Sequence, residues 1–238
     1  MSTPVSIDGV RCVLLDIEGT TTHIAFVHEV LFSYARAHVR DYLAKHFHEE
    51  VVQKDLNLLR EEAANEGVRT NNTDEIVAYI NHLIDLDRKS TGLKSLQGKI
   101  WHEGYADGTL HAQVFPDVAP AFARWRARGL NVSIFSSGSV LAQQLLFAHT
   151  EAGDLTPFIS HYFDTGVGKK GEAESYRRIA EAIKLQPPEI LFVSDVVAEL
   201  AAAREAEMKT ALSIRPGNQP QDSRDQHPII HSFDEIVT

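Results

Sequence analysis

Hydrophobic residues along the chain form two kinds of pattern, and the first kind is the short unbroken run. Three runs rich in branched residues are typical of strands buried on both faces, at 10–17, 130–137 and 189–195. Two weaker runs lie at 161–165 and 210–215, and a polar, proline-containing surface loop is predicted at 215–228. The stretches between the runs have helical spacing, at 140–150, 172–185 and 197–208. From about residue 115 onward the sequence therefore predicts βαβ units around a parallel sheet.

The second kind of pattern is helical and fills residues 24–110 without a strand signal. Apolar residues recur at helical spacing in four segments, at 24–47, 51–65, 74–88 and 92–105. In the first segment the repeating positions are Phe26, Val30, Leu31, Tyr34, Val39 and Leu43. Residues 71–74, Asn-Asn-Thr-Asp, are typical of a turn and N-cap before the third segment.

These patterns predict an α/β fold with an insertion. Residues 1–22 and 112–238 are expected to form a Rossmann-like open parallel sheet core, and residues 23–111 a helical cap domain inserted after the first strand. In open α/β sheets ligands bind at the carboxyl ends of the strands, so the chemistry of the chain is expected at those ends.

Composition narrows the possible partners. Of the 238 residues 43% are hydrophobic and 24% charged, and the formal net charge is −10. A negative balance disfavours nucleic acid and anionic membranes, which both reward a basic surface, but it permits a small phosphorylated molecule bound at a local positive site. The single cysteine, Cys12, excludes an intramolecular disulfide and a cysteine metal cluster.

Neither a targeting segment nor a membrane segment stands out. The first residues, MSTPVSIDGVR, lack the basic and apolar regions of a signal peptide. No run approaches the roughly 18 consecutive apolar residues that a membrane helix needs. A cytoplasmic protein is expected, with the nucleus also possible in a eukaryote.

Two carboxylates follow the first predicted strand. Asp16 and Glu18 stand in the stretch CVLLDIEGTTT, residues 12–22, and alternation places both side chains on one side if the strand continues through them. Clustered carboxylates suit a hard cation such as Mg²⁺, which prefers oxygen ligands. Taken alone, such a pair is more often a turn with two solvated acids.

Two later strand ends carry groups that can bind an anion. Ser136 and Ser137 end the second buried run, where small hydroxyls and backbone N–H groups either bind an anion or cap the following helix. Lys169 and Lys170 follow the weak run at 161–165. A lysine there either neutralises phosphate charge or remains a solvated surface group.

A further acid ends the last buried run. Asp195 is a second source of metal-binding oxygen, and Glu199, one helical turn on, either holds a metal-bound water or caps its helix. An acidic pair, a hydroxyl, a lysine and another acid therefore occupy successive strand ends of one predicted sheet, in that order.

This order of residues resembles the haloacid dehalogenase-like phosphohydrolases. The resemblance implies that Asp16 attacks phosphorus and that Glu18 serves as acid and base. It also implies that Ser136, Ser137 and Lys170, the second lysine of its pair, bind phosphate.

The resemblance also implies a magnesium cofactor, with one Mg²⁺ per subunit. The metal would be held by Asp16, Asp195 and the Glu18 position, which in this family often contributes its backbone carbonyl. A monomer is expected for the same reason.

One departure from the common pattern narrows the family. Most phosphatases of the superfamily have Asp where Glu18 stands, and four segments together resemble the enolase-phosphatase (acireductone synthase) family of methionine salvage. The four segments are LLDIEGTTT (14–22), DRKSTGLKSLQG (87–98), FSSGSV (135–140) and GEAESYRRIA (171–180). The resemblance runs from about residue 10 to about residue 217 and includes the cap.

That family implies enolisation of 2,3-diketo-5-methylthiopentyl 1-phosphate, followed by hydrolysis of its phosphate to give the acireductone. The base for enolisation stays open between Glu18 and a group from the cap. The alternatives are another capped phosphatase or phosphomutase acting on a different small phosphate ester, a dehalogenase, and a phospho-accepting receiver or binding module. A dehalogenase needs no Mg²⁺, and a receiver would be about half this length.

Overall fold

The computed structural model describes residues 4–88, 90–221 and 227–237, so part of the predicted loop, 222–226, lies outside the described residues. The chain divides into two compact units, Met1–Phe26 with His111–Thr238, and Val27–Leu110. Among the residues described, no helix is both long enough and apolar enough to span a membrane.

The first unit is built on a parallel sheet, which confirms the predicted α/β fold. Six strands of the described chain follow the spatial order β4-β3-β2-β5-β6-β7. The strands are β2 (Cys12–Leu15), β3 (Asn131–Phe135), β4 (Ile159–Phe163), β5 (Ile190–Ser194), β6 (Lys209–Ser213) and β7 (Ile229–Ile230). Two short strands, β1 (Val5–Ser6) and β8 (Ile236–Val237), pair with each other in parallel.

Burial on both faces of the sheet explains why its central strands lie in apolar runs. The four residues of β2 are fully buried, and β2 lies between β3 and β5, with Leu15 opposite Ile134 on one side and Val193 on the other. The carboxyl ends of these three neighbouring strands therefore meet at one edge of the sheet.

Helices connect the strands of the first unit, and the last three of them lie in segments where the periodicity predicts a helix. They are α5 (Val118–Ala127), α6 (Val140–Ala148), α7 (Ala173–Ile183) and α8 (Val197–Glu205). Ser139 caps α6 by accepting a hydrogen bond from the backbone N–H of Ala142. The weak strand β4 begins two residues before the predicted run and ends at Phe163, because Asp164 starts a turn in which its side chain accepts from Gly166 N.

The second unit is helical, and its described residues confirm the predicted insertion after the first strand of the central sheet. A π-helical segment (Phe26–Phe32) leads into α1 (Ser33–His46), α2 (Glu50–Asn65), α3 (Thr73–Asp85) and α4 (Thr91–Ala106). The predicted cap is confirmed at Asn72, whose side chain accepts from Glu75 N. Val30, one of the apolar positions that recur at helical spacing, is 38% exposed. A π-helix bonds residue i to i+5, so the 3.6-residue spacing no longer describes which face is buried.

Candidate active site

Asp16 is buried immediately beyond the end of β2. Its Oδ1 accepts a hydrogen bond from the backbone N–H of Ile17 at 2.8 Å, which orients the carboxylate. The strand does not continue through Asp16 and Glu18, because β2 ends at Leu15. Strand alternation therefore does not place the two side chains on one side of the sheet. Glu18 lies half-buried in the turn that follows.

A tight turn follows Asp16, and its geometry requires glycine. The backbone N–H groups of residues 20–22 converge on the Ile17 carbonyl, and Gly19 N donates to Thr22 O at 2.8 Å. Gly19 has φ of +67°, and a Cβ there would lie 2.4 Å from Asp195 Oδ2. The glycine therefore both permits the turn and lets the backbone approach the carboxylate at the end of β5.

Lys170 lies between the buried carboxylate of Asp16 and the largely buried carboxylate of Glu199. Its Nζ is 2.6 Å from Asp16 Oδ1 and 2.7 Å from Glu199 Oε2, and its side chain is 8% exposed. Burial by itself would lower the pKa of Lys170, but the charges of Asp16 and Glu199 outweigh it and raise the pKa above its ordinary value. Lys169, the neighbouring candidate, has an 84% exposed side chain and pairs with Glu172.

Helix α7 fixes the backbone that carries the two lysines. The hydroxyl of Tyr176 donates to the Lys170 carbonyl at 2.7 Å, and Ser175 Oγ donates to the Lys169 carbonyl at 2.7 Å. Tyr176 is fully buried, and its ring centroid lies 5.6 Å from that of Phe135 and 5.0 Å from that of Phe192. Core packing thus determines that Lys170 points inward.

Ser194 and Glu199 complete the surroundings of Lys170. Ser194 Oγ accepts from Val196 N at 3.1 Å and donates to Glu199 Oε2 at 2.9 Å, with Asp16 Oδ2 a further 3.3 Å neighbour. Burial, followed by the charge of Asp16, raises the pKa of Glu199 to about 7. The sequence placed Glu199 near the site but did not predict it as the second partner of the lysine.

Asp195 adds a third carboxylate to the same edge of the sheet. It is 9% exposed, and burial, followed by the charges of Asp16 and Glu199, raises its pKa to about 7. Two acids contact Lys170, and the charge of the lysine also acts on Asp195, so acids outnumber the lysine and favour a bound cation.

The two candidate phosphate-binding serines follow β3. Ser136 is buried and its Oγ accepts from Gly138 N at 3.1 Å, whereas Ser137 is half-buried. The β2–β3 register, with Leu15 opposite Ile134, sets the residues after both strands at the same edge. These serines precede the N-terminus of α6, where backbone N–H groups favour an anion.

The prediction of a surface loop at 215–228 is wrong at Arg215, which is buried. Its guanidinium carbon lies 4.6 Å from the ring centroid of Phe115 and 4.7 Å from that of Phe233. It donates to Asp117 Oδ2 at 2.8 Å and to the Thr20 carbonyl at 3.3 Å. The arginine therefore supports the turn after Asp16, a role that no local signal in the sequence indicates.

The donor chemistry at this edge fits magnesium. Among residues 4–88, 90–221 and 227–237, no three His, Cys, Asp or Glu side chains already converge as in an assembled metal centre. Mg²⁺ usually takes one or two carboxylates and keeps several waters, so it does not need such a cage. The buried oxygens of Asp16 and Asp195, with their surplus charge, are suitable ligands.

Comparisons with known proteins show the family to which the chain belongs. The family description "haloacid dehalogenase-like hydrolase" matches residues 10–207. An enolase-phosphatase E1 of Synechococcus elongatus is 54% identical, over 99% of this chain and 100% of the relative. One from Pseudomonas aeruginosa is 46% identical, over 96% of this chain and 98% of the relative.

A solved structure is also similar in sequence. The crystal structure of the UTR4 protein of Saccharomyces cerevisiae has a TM-score of 0.79 and 34% identity, and the match covers 94% of this chain and 99% of that one. The chain therefore belongs to the haloacid dehalogenase-like hydrolases and, within them, to the enolase-phosphatase E1 family.

Proposed function

We propose that this chain is a Mg²⁺-dependent enolase-phosphatase (acireductone synthase) of methionine salvage. It converts 2,3-diketo-5-methylthiopentyl 1-phosphate into 1,2-dihydroxy-3-keto-5-methylthiopentene and phosphate. The observation that carries the proposal is the buried Asp16 carboxylate, held 2.6 Å from Lys170 at the end of the central strand. The near full-length identity to enolase-phosphatases supports the choice of substrate.

Asp16 is the proposed nucleophile of the phosphatase half. A carboxylate oxygen attacks phosphorus, the bond from phosphorus to the C1 oxygen breaks, and an aspartyl-phosphate forms. The hydrogen bond from Ile17 N and the contact with Lys170 hold the carboxylate in one orientation before attack. Water then attacks the aspartyl-phosphate, releases phosphate and regenerates Asp16.

Glu18 is the proposed general acid for attack by Asp16 and the proposed general base for hydrolysis of the aspartyl-phosphate. Its carboxyl proton goes to the leaving C1 oxygen, and its carboxylate later accepts a proton from the attacking water. In the enolase half a base removes a proton from C1, next to the C2 carbonyl, and the C2 oxygen is protonated as the enol forms. Glu18 and a group from the helical insertion remain the two candidates for that base.

Positive charge and hydrogen-bond donors hold the phosphoryl oxygens. We assign this role to Ser136, Ser137 and Lys170, because a lysine and a loop before a helix N-terminus both favour the charge of the equatorial oxygens.

Asp16, Asp195 and the Glu18 position would hold the single Mg²⁺. When bound, Mg²⁺ neutralises phosphate charge and reduces its repulsion of the attacking carboxylate. We further propose that residues 23–111, whose compact part is Val27–Leu110, are the cap domain of the family. The protein is proposed to be a cytoplasmic monomer, and light scattering after size-exclusion chromatography tests the oligomeric state.

The test is time-resolved product analysis with the diketo phosphate, following enol absorbance and phosphate release together. Wild type should give both products with Mg²⁺ and lose phosphate release in EDTA. Asp16→Asn should lower phosphate release on the order of 10⁴-fold or more while its circular dichroism stays unchanged. Near wild-type release by Asp16→Asn would refute the nucleophile.

A panel of other phosphate esters tests the substrate assignment separately. Rapid hydrolysis of another ester, with no enol formed from the diketo phosphate, would favour a different capped phosphatase or a phosphomutase.

A further inference from the structure

A tight turn after β6 returns the chain to the turn that follows Asp16. Residues Arg215 to Asn218 close a β-turn in which Asn218 N donates to the Arg215 carbonyl at 3.1 Å. Pro216 occupies the second position, and Gly217, with φ of +90°, occupies the third. This is the arrangement of a type II turn, which favours proline and then glycine at those positions.

The turn delivers the side-chain amide of Asn218 to the Gly19 backbone. Asn218 Nδ2 donates to the Gly19 carbonyl at 2.9 Å and to the Ser213 carbonyl at 3.2 Å. Both acceptors are carbonyl oxygens, so only the NH₂ group can face them, which determines the orientation of the amide. Ser213 Oγ also donates to the Gly19 carbonyl, at 3.3 Å.

This orientation turns the other amide atom, Oδ1, toward Asp195. Asn218 Oδ1 is buried and has no hydrogen-bond partner among the described residues. A Cβ on Gly19 would lie 2.8 Å from this atom and 2.4 Å from Asp195 Oδ2, so two acceptor oxygens flank one point. A buried acceptor oxygen that receives no hydrogen bond costs free energy. Because a second acceptor oxygen lies near it, a bound cation or hydrogen-bond donor between the two oxygens would be stabilising.

We propose that Asn218 is a positioning residue for the magnesium site. Its Oδ1 accepts a hydrogen bond from a water of the hydrated cation at Asp195, while its Nδ2 holds the Gly19 carbonyl. Mg²⁺ keeps several waters, and groups that bind such waters orient the site and tune its affinity. This inference rests on the proposed Mg²⁺ dependence.

The experiment is calorimetric titration of the protein with MgCl₂ alone, without substrate, together with melting temperatures in EDTA. Asn218→Leu removes both functions of the amide and should weaken Mg²⁺ binding about 10-fold or more. Asn218→Asp keeps an acceptor oxygen but loses the NH₂ donor. It should bind Mg²⁺ at least as tightly as wild type, while its melting temperature in EDTA falls.

Ser213→Ala is the matched control, since it removes a different donor from the same Gly19 carbonyl. If Asn218 matters only by holding that carbonyl, Ser213→Ala and Asn218→Leu should weaken Mg²⁺ binding alike, which would overturn the inference. We expect Ser213→Ala to stay within about twofold of wild type.

Two other results would also overturn the inference. The first is that Asn218→Leu binds Mg²⁺ with an affinity within twofold of wild type. The second is that Asn218→Asp binds Mg²⁺ as weakly as Asn218→Leu does. If Asn218→Leu does not fold, the affinity of Asn218→Asp for Mg²⁺ still decides the test. A wild-type protein that binds no Mg²⁺ would instead refute the cofactor of the proposed function, and this inference with it.

Discussion

Replacing Lys170 with methionine tests whether one buried charge supports both the fold and the chemistry. The Nζ of Lys170 contacts both Asp16 and Glu199, at 2.6 and 2.7 Å. Methionine keeps most of the side-chain volume but leaves the buried Asp16 carboxylate and the largely buried Glu199 carboxylate without that partner. Removing one member of a buried ion pair costs about 3–5 kcal/mol, because the remaining charge stays uncompensated.

The expected loss of stability is measurable by thermal unfolding in EDTA. For a chain of this length a loss of 1 kcal/mol lowers the melting temperature by about 2–4 °C, so Lys170→Met should melt roughly 6–20 °C lower than wild type. Phosphate release should fall about 10²–10³-fold in saturating Mg²⁺, because a preorganised donor to the phosphoryl oxygens is lost.

Lys169→Met is the matched control, one residue earlier in the chain. Lys169 is solvent-exposed and pairs only at the surface with Glu172, so its loss should change stability by less than about 0.5 kcal/mol. The reasoning is refuted if Lys169→Met loses phosphate release and Lys170→Met keeps it. It is equally refuted if Lys170→Met melts within about 2 °C of wild type.

Two further changes test the helical unit and the turn after Asp16. Hydrogen bonds to Glu49 and Glu103 raise the pKa of His46 above 6.5, so its stabilising charge is fully present below pH 6.5 and is lost as pH rises through the raised value. His46→Gln should therefore be less stable than wild type by about 0.5–1 kcal/mol below pH 6.5, and this difference should shrink as the pH rises. A stability difference that stays the same at every pH, measured by urea unfolding, would contradict this. Gly19→Ala should destabilise the protein by about 1–3 kcal/mol and lower phosphate release more than 10-fold, because a Cβ meets the carboxylate beside it. Gly9→Ala, with a similar positive φ and open space around it, should show only the backbone cost, and equal effects of both alanines would be evidence against crowding.

The fold and the centre of the site were predictable because both depend on strong periodic signals. Apolar runs locate β2, β3 and β5, and parallel strands bring their carboxyl ends together. The strand ends place Asp16 and the lysine pair at one edge of the sheet, and the family resemblance selects Lys170, whose Nζ lies 2.6 Å from Asp16 Oδ1. The roles assigned to them remain predictions.

The residues that support the site were not predictable, because their partners are distant in sequence. Arg215 and Asn218 stand in a polar segment that favours a surface loop, yet each contacts a carbonyl of the turn near residue 20. Local composition cannot distinguish a solvated arginine from one buried between two aromatic rings. The sequence predicts that Glu199 lies near the site, but it does not predict the contact with Lys170, because that contact depends on the packing of α7 against α8.

The central position of β2 also determines the order in which the protein can fold during synthesis. Cys12 pairs with Asn131 on one side and with Ile190 on the other, so β2 emerges from the ribosome well before either partner. Val27–Leu110 form a compact unit with contacts of their own and can fold while the rest is still being made. Until β3 emerges, the apolar strand that leads to Asp16 stays unpaired, and an unpaired apolar strand exposes the nascent chain to aggregation.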